Sequence, residues 1–296
     1  MKQSIFILLV GIAAISCQKS DGKSEVPTEQ SKAFDNRRAA FFDNIMAPAE
    51  VAAQIQFTAA DFAPKLMNDP EKFSMYAGNE VKAAGNLGIY LSDLNYCIAY
   101  EQSGGTTKKY FQASHELSKA IGIEKNVLAF LAKRYDQNIS RNDSLKNVVT
   151  DLLQQSTLEL QETSKEKLAG IAMSAYQIEN LHLALGILNA YPKDMLPDDA
   201  RATIMVPLIK VVVNQRANIE NIYNFLQSYS DPLDPDKNPN YPFYTNAFKE
   251  LLAVYKKLDV EEKIANNKGL EIINDAQVRE LSEKVNAIRD KVVSVD

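Results

Sequence analysis

Apolar residues recur at steps of three and four positions along most of the chain beyond residue 32, which is the period of an amphipathic helix. Glycine is scarce, at 11 of 296 residues, which disfavours a β-sandwich or barrel because those folds need many tight turns. The pattern predicts an all-α protein in which residues 32–296 form a single multi-helix bundle of about 9–11 helices. The clearest apolar stripe consists of Leu168, Ile171, Ala172, Ala175, Ile178, His182, Leu185 and Gly186.

Helix-breaking and capping residues set the predicted boundaries of these elements. Proline, glycine and clusters of Asn, Asp and Ser interrupt the helical period, and the strongest break is Ser103-Gly104-Gly105. The predicted helices cover residues 32–45, 48–57, a short stretch after Pro70, 79–101, 108–121, 124–138, 142–161, 164–190, 196–229, 244–258 and 275–293.

One segment, residues 204–213, allows two interpretations. Its many β-branched residues favour a strand. Its flanks continue the helical pattern, so a helix that contains Pro207 is the favoured prediction. The proline is expected to kink this helix rather than end it.

The N-terminal residues resemble the lipobox of bacterial lipoproteins. Lys2 precedes an apolar run over residues 5–15, which has the length of a signal-peptide core and is too short to span a bilayer. Two small residues, Ala14 and Ser16, then lead to Cys17. The resemblance implies cleavage before Cys17, acylation of its thiol and of the new amine, and stable anchoring by several lipid chains. An ordinary secretory signal with an incidental cysteine is the alternative.

The predicted organisation has three parts: a signal peptide over residues 1–16, the lipidated cysteine with a flexible polar tether over 17–31, and the helical domain from 32 to 296. Gln18 stands where an aspartate would favour inner-membrane retention, so we expect a cell-envelope protein of the outer membrane. The net charge of −5 gives no broad attraction to nucleic acid. The expected partners are the membrane, through the lipid anchor, and an envelope protein.

The sequence offers few side chains that could catalyse a reaction. Its only histidines are His115 and His182, and it contains no HExxH, GxSxG, P-loop or GxGxxG motif. No catalytic residue, metal or cofactor is therefore predicted. Cys97 lies in an apolar helical stretch and is expected to be a buried, inert thiol.

Glu179 and His182 form the most specific polar pair. They are three residues apart on one predicted helix face, a spacing that helical di-metal sites use. Such a site needs a second Glu-x-x-His, but Gln112 holds the corresponding position before His115. A structural polar pair is the favoured interpretation, and half of a metal site is the alternative.

A second candidate group centres on Asp93. The segment 86–100 is apolar almost all round and should be a central helix, so Asp93 needs a partner, because an unpaired buried carboxylate is costly. With Tyr96 and Tyr100 on a compatible face, Asp93 belongs either to a structural hydrogen-bond network or to a pocket for a small polar ligand. The candidate ligand-binding residues are Asp93, Tyr96, Glu179 and His182.

The loop over residues 231–240 has a partial resemblance to a calcium-binding loop. Oxygen-bearing side chains alternate at positions 234, 236, 238 and 240. Pro239 and Thr245, however, stand where an EF-hand has glycine and glutamate. Turn formation explains the Asp, Asn and Pro residues equally well.

The segments 88–96, 117–123, 142–145 and 178–184 make the chain similar to a family of all-helical lipoproteins from the Bacteroidota. The resemblance implies an envelope location and a helical fold, and it brings no activity or site. The favoured function is a lipid-anchored, non-enzymatic helical binding or scaffold module. The alternative is an enzyme or small-ligand-binding protein with a pocket around Asp93, Glu179 and His182.

Overall fold

The computed structural model describes residues 51–58, 60–102, 104–123, 165–190, 197–228 and 241–295. Every regular element in these ranges is helical, which confirms the prediction of an all-α multi-helix bundle. The strand alternative for residues 204–213 is wrong, because a helix continues through Pro207. Five predictions fall outside the described residues: the N-terminal segment with Cys17 and its tether, the helices at 32–45, 124–138 and 142–161, and the loop at 231–240.

The helices follow one another with short connections inside each described range. Two 3-10 turns, Pro64–Leu66 and Pro70–Lys72, lie between the first and second α-helices. The α-helices are α1 (Val51–Phe57), α2 (Phe73–Tyr76), α3 (Glu80–Ala99), α4 (Gly104–Ala120), α5 (Glu166–Ala190), α6 (Asp198–Val213), α7 (Arg216–Ser228), α8 (Tyr241–Lys257), α9 (Glu261–Ala265), α10 (Gly269–Ile273) and α11 (Ala276–Val293).

Side-chain caps fix the beginning of two long helices where the sequence predicted them. The Asn79 side chain accepts hydrogen bonds from the backbone N–H of Val81, at 2.9 Å, and of Lys82, at 3.0 Å, and so begins α3. Asp275 accepts from the backbone N–H of Gln277 at 2.9 Å and begins α11. Both caps satisfy donors that have no partner within their helix.

The break after α3 is shorter than predicted, because Gly104 is already the first residue of α4. The turn is made instead by Glu101, which has a positive φ of 53°. The N–H of Gln102 bonds the Cys97 carbonyl at 2.9 Å, and the N–H of Glu101 bonds the Ile98 carbonyl at 3.1 Å. This pair of bonds is a Schellman motif, which is usually built on glycine.

The helix predicted over 196–229 is two helices, α6 and α7, separated at Asn214 and Gln215. Side chains bind two carbonyls in the last turn of α6. Gln215 Nε2 donates to the Val211 carbonyl at 3.1 Å, and the Tyr255 hydroxyl donates to the Val212 carbonyl at 2.8 Å. The helix therefore ends through tertiary contacts, with no glycine or proline at the break.

Helices α3 and α5 pack against each other at the centre of the structure. All residues of α3 from Ala83 to Ala99 are buried, as predicted for this helix. Gly88 allows the two backbones to approach, because a Cβ at this position would overlap the carbonyl oxygen of Ala172 and lie 2.8 Å from the backbone nitrogen of Tyr176. Helix α4 packs on α3, and α11 contacts both α5 and α3.

None of the helices in the described parts of the chain is long and apolar enough to cross a membrane. The exposed large apolar side chains in these parts are Phe57, Met75 and Val295. They lie on three different segments, as scattered surface apolar residues commonly do.

Candidate functional site

Residues 60–69, here called the strap, connect α1 to the second 3-10 turn and lie against α3 and α4. Most strap residues are outside regular structure, so their backbone groups need other partners. Tyrosine hydroxyls supply four of them. Tyr96 accepts from the N–H of Ala63 at 2.9 Å, while Tyr100, Tyr90 and Tyr110 donate to the carbonyls of Ala60, Asp69 and Asn68 at 2.8, 2.8 and 2.9 Å.

Asp93 also holds the strap. Its Oδ2 atom accepts a hydrogen bond from the backbone N–H of Asn68 at 3.0 Å, and its side chain is fully buried. The Glu179 carboxyl group lies close enough to Asp93 for a hydrogen bond between the two side chains if one of them is protonated. Burial, reinforced by the negative charge of Glu179, raises the pKa of Asp93 well above its ordinary value and outweighs the opposing effect of Arg289.

Glu179 is fully buried as well, and it forms a two-pronged ion pair with Arg289 of α11. Arg289 Nε donates to Oε2 at 2.7 Å, and a terminal guanidinium nitrogen donates to Oε1 at 3.0 Å. The same terminal nitrogen donates to the Leu66 carbonyl of the strap at 3.1 Å. Burial alone would lower the pKa of Arg289, but the Glu179 carboxylate overrides it and raises that pKa.

His182 lies one helical turn after Glu179 and contacts the same strap carbonyl. Its Nε2 is 3.0 Å from the Leu66 oxygen, and its Nδ1 is 2.8 Å from the Asn286 side-chain oxygen. A carbonyl oxygen only accepts, so Nε2 carries the proton of this bond. The ring is only partly buried, although His182 belongs to the apolar stripe predicted for this helix.

The site therefore brings together three of the four predicted ligand-binding residues, Asp93, Glu179 and His182, through the strap and Arg289. The fourth, Tyr96, is fully buried, stacks on Phe62 with ring centroids 5.0 Å apart, and binds the strap further along. Each of these side chains is hydrogen bonded to protein groups, so the arrangement can fix a backbone segment in the core.

The contacts favour the structural interpretation of Glu179 and His182 over a metal site. Both oxygens of Glu179 face the Arg289 guanidinium, whose positive charge would repel a bound cation. His182 Nε2 donates its proton to a carbonyl and offers no lone pair there. Within the residues that the structure describes, no group of three or more His, Cys, Asp or Glu could hold a metal ion.

Replacing His182 by alanine should lower the free energy of unfolding by about 0.5–1.5 kcal/mol, because the Leu66 carbonyl and the Asn286 side chain each lose one hydrogen bond. The loss should be the same with and without divalent metal in a thermal unfolding series. A metal site behaves differently: metal would stabilise the wild type increasingly above Kd and leave His182→Ala unchanged. That second result would overturn the structural assignment.

Two features of the site were not predicted from the sequence. Arg289, the counter-ion of Glu179, follows Leu281 and Val285 at steps of four and so falls on the apolar stripe of α11, which is a signal that the sequence does contain. The strap carbonyls and N–H groups leave no sequence signal, since every residue except proline has both.

Cys97 is buried as predicted, and burial raises its thiol pKa.

A separate cavity of about 430 Å³ lies where the α6–α7 junction meets α8 and α9. Asn214, Arg216, Tyr255 and Glu261 are among the residues that line it. It contains none of the residues that the sequence proposed for a ligand site, so the strap network and this cavity are distinct features.

The chain matches no protein-family profile, no curated protein and no solved structure. The similarity to all-helical lipoproteins of the Bacteroidota therefore stays a prediction from its four segments. The function has to be argued from the residues and their geometry.

Proposed function

We propose that this chain is a lipid-anchored protein of the bacterial cell envelope whose helical domain is a non-enzymatic binding or scaffold module. The proposal of a non-enzymatic module rests on the polar network around the strap. Asp93 and Glu179 are fully buried, and the hydrogen bonds of Glu179, Arg289 and His182 are directed to one another, to Asn286 and to the strap. Side chains used in this way stabilise a fold.

The envelope half of the proposal rests on the N-terminal sequence. A basic residue, an apolar run of signal-peptide length and small residues before Cys17 match what lipoprotein processing requires. The polar stretch after Cys17 would separate the domain from the bilayer as a tether. Gln18 favours the outer membrane, and the expected partners are the membrane itself and a second envelope protein.

One observation favours the alternative, an enzyme or a small-ligand-binding protein built on the same residues. A buried carboxyl group with a raised pKa beside a second carboxylate, as in Asp93 and Glu179, is common at functional sites. Both carboxyl groups are fully buried and the N–H of Asn68 occupies Asp93 Oδ2, so a ligand could reach this pair only if the strap moved. The network therefore supports the scaffold more strongly than the enzyme.

Metabolic labelling with an alkyne fatty acid tests the anchor. The wild-type chain should be tagged and should fractionate with membranes, whereas Cys17→Ala should be untagged and released from the membrane fraction. The chain offers a matched control in its only other cysteine, Cys97, which is buried in α3. Cys97→Ala should be tagged like the wild type. Equal tagging of wild type and Cys17→Ala would refute the lipid anchor.

A further inference from the structure

Two carboxyl groups share one cation in the core of this protein. Asp93 and Glu179 have no exposed surface, and the Arg289 side chain is only 11% exposed. If both carboxyl groups were ionised, the cluster would carry a net negative charge in a region that water does not reach. Such an uncompensated charge is far more costly than a neutral group.

The hydrogen bonds identify the carboxyl group that carries a proton. Both oxygens of Glu179 accept from Arg289, so Glu179 is the ionised partner. Asp93 Oδ2 accepts from the N–H of Asn68, while Oδ1 has no donor facing it among the described residues. Two carboxyl groups can form a hydrogen bond with each other only if one of them is protonated. A proton on Asp93 Oδ1 satisfies that atom and provides the donor for Glu179.

We propose that Asp93 is held as a neutral carboxylic acid in the folded protein, and that its single proton is a lock joining α3, α5, α11 and the strap. With the proton in place, the neutral acid, the Glu179 carboxylate and the Arg289 guanidinium sum to zero charge. Loss of the proton leaves two adjacent carboxylates beside the strap, and their negative charges repel each other. The lock therefore loosens as pH rises, which is the opposite of ordinary acid unfolding.

Three titratable groups next to this cluster stay uncharged through the weakly acidic and neutral range. Burial raises the pKa of Tyr90, Cys97 and Tyr110, so all three stay uncharged there. Tyr76 faces Arg289 from the segment before α3, and Asp69 lies near Tyr76 and Tyr90. On the other side are His182 of α5, which shares the Leu66 carbonyl with Arg289, and Asp290 of α11.

The sign of the pH effect follows from proton linkage. An unfolded aspartate loses its proton above pH about 3.9, whereas folded Asp93 keeps it to a higher pH. Above that point the folded state binds one more proton than the unfolded state, so stability falls as pH rises. A difference of one proton changes the unfolding equilibrium constant about tenfold per pH unit. The effect ends above the folded-state pKa.

Urea unfolding of the full chain over a pH series tests the lock. Asp93→Asn keeps an acceptor for Asn68 and an N–H donor for Glu179 but has no proton to lose. The unfolding constant of the wild type, divided by that of Asp93→Asn, should rise about tenfold per pH unit above about pH 5, until the pH reaches the folded-state pKa of Asp93. A ratio that is constant from about pH 5 upwards would show an ionised Asp93 and overturn the proposal.

Asp290→Asn is the matched control, since it makes the same chemical change at an exposed aspartate next to Arg289. The unfolding constant of the wild type, divided by that of Asp290→Asn, should not change with pH in the same window. All three proteins keep His182 and Arg289, so the two ratios differ only in the aspartate that is replaced.

A spectroscopic measurement on the wild type covers the case in which Asp93→Asn does not fold. Infrared spectra of the full chain at pH 6, with isotope-labelled aspartate, should contain the C=O stretch of one protonated aspartic acid. The band should disappear when the chain is unfolded at the same pH. Its absence from the folded protein would refute the proposal by itself.

Discussion

Replacement of Arg289 by alanine is expected to lower the free energy of unfolding by about 3–5 kcal/mol, the range for breaking a buried ion pair from one side. The substitution leaves the fully buried Glu179 without a counter-ion and removes a donor from the Leu66 carbonyl. The strap should loosen at the same time, because Arg289 is one of its bonds to α11. Urea unfolding followed by far-ultraviolet circular dichroism at neutral pH measures the change.

The same helix supplies the control for this prediction. Lys284 forms an ion pair of 2.8 Å with Glu250 of α8, but the two side chains are 31% and 63% exposed. Solvent screens such a pair, so Lys284→Ala should reduce stability by less than about 1 kcal/mol. If both variants lost the same small amount, the pair between Glu179 and Arg289 would not be the structural element described above.

The helical period predicted the long helices because their stability comes from an apolar face packed on a core. Helices α3, α5 and α11 were placed to within a few residues, and Asn79 and Asp275 cap the first and last of them as their residue types suggested. These elements are encoded locally, by a stripe of side chains and a capping residue. A local pattern is sufficient to find such helices.

The elements that were missed depend on contacts between distant segments. The end of α6 is stabilised by Gln215, which accepts from Gln177 of α5 at 3.1 Å, and by the Tyr255 hydroxyl of α8. Neither contact can be read from residues 210–216 themselves. The short helices α9 and α10 have five residues each, fewer than an amphipathic period needs to be recognised.

For the same reason, the sequence predicted only part of the candidate site. A polar residue on an apolar stripe is visible in the sequence, and this criterion identified Asp93, Glu179 and His182. It could not identify what they bind, because their partners are Arg289, more than a hundred residues away from Glu179 and Asp93, and the backbone of the strap. Two interpretations, a ligand pocket and a structural network, fitted the same residues until the partners were known.

Gly88→Ala should destabilise the protein by about 3 kcal/mol or more, although alanine normally stabilises a helix by about 1 kcal/mol relative to glycine. The added Cβ would overlap the backbone carbonyl of Ala172 and crowd the backbone nitrogen of Tyr176. Both atoms belong to the backbone of α5, so neither can move aside through a change of side-chain rotamer. The two central helices would have to separate, and the hydrogen bond of 2.9 Å from Ser92 to Asn180 lies directly along the same contact.

Gly105→Ala separates this packing effect from the intrinsic preference of helices for alanine. Gly105 lies in the first turn of α4, and a Cβ there would meet no atom within 4 Å. This variant should be unchanged or more stable by about 0.4–1 kcal/mol, through the lower entropy of the unfolded chain. The two glycine substitutions should thus have opposite signs in one urea-unfolding experiment. Equal effects would mean that α3 and α5 do not approach closely enough at Gly88 to exclude a methyl group, and the central packing described here would have to be revised.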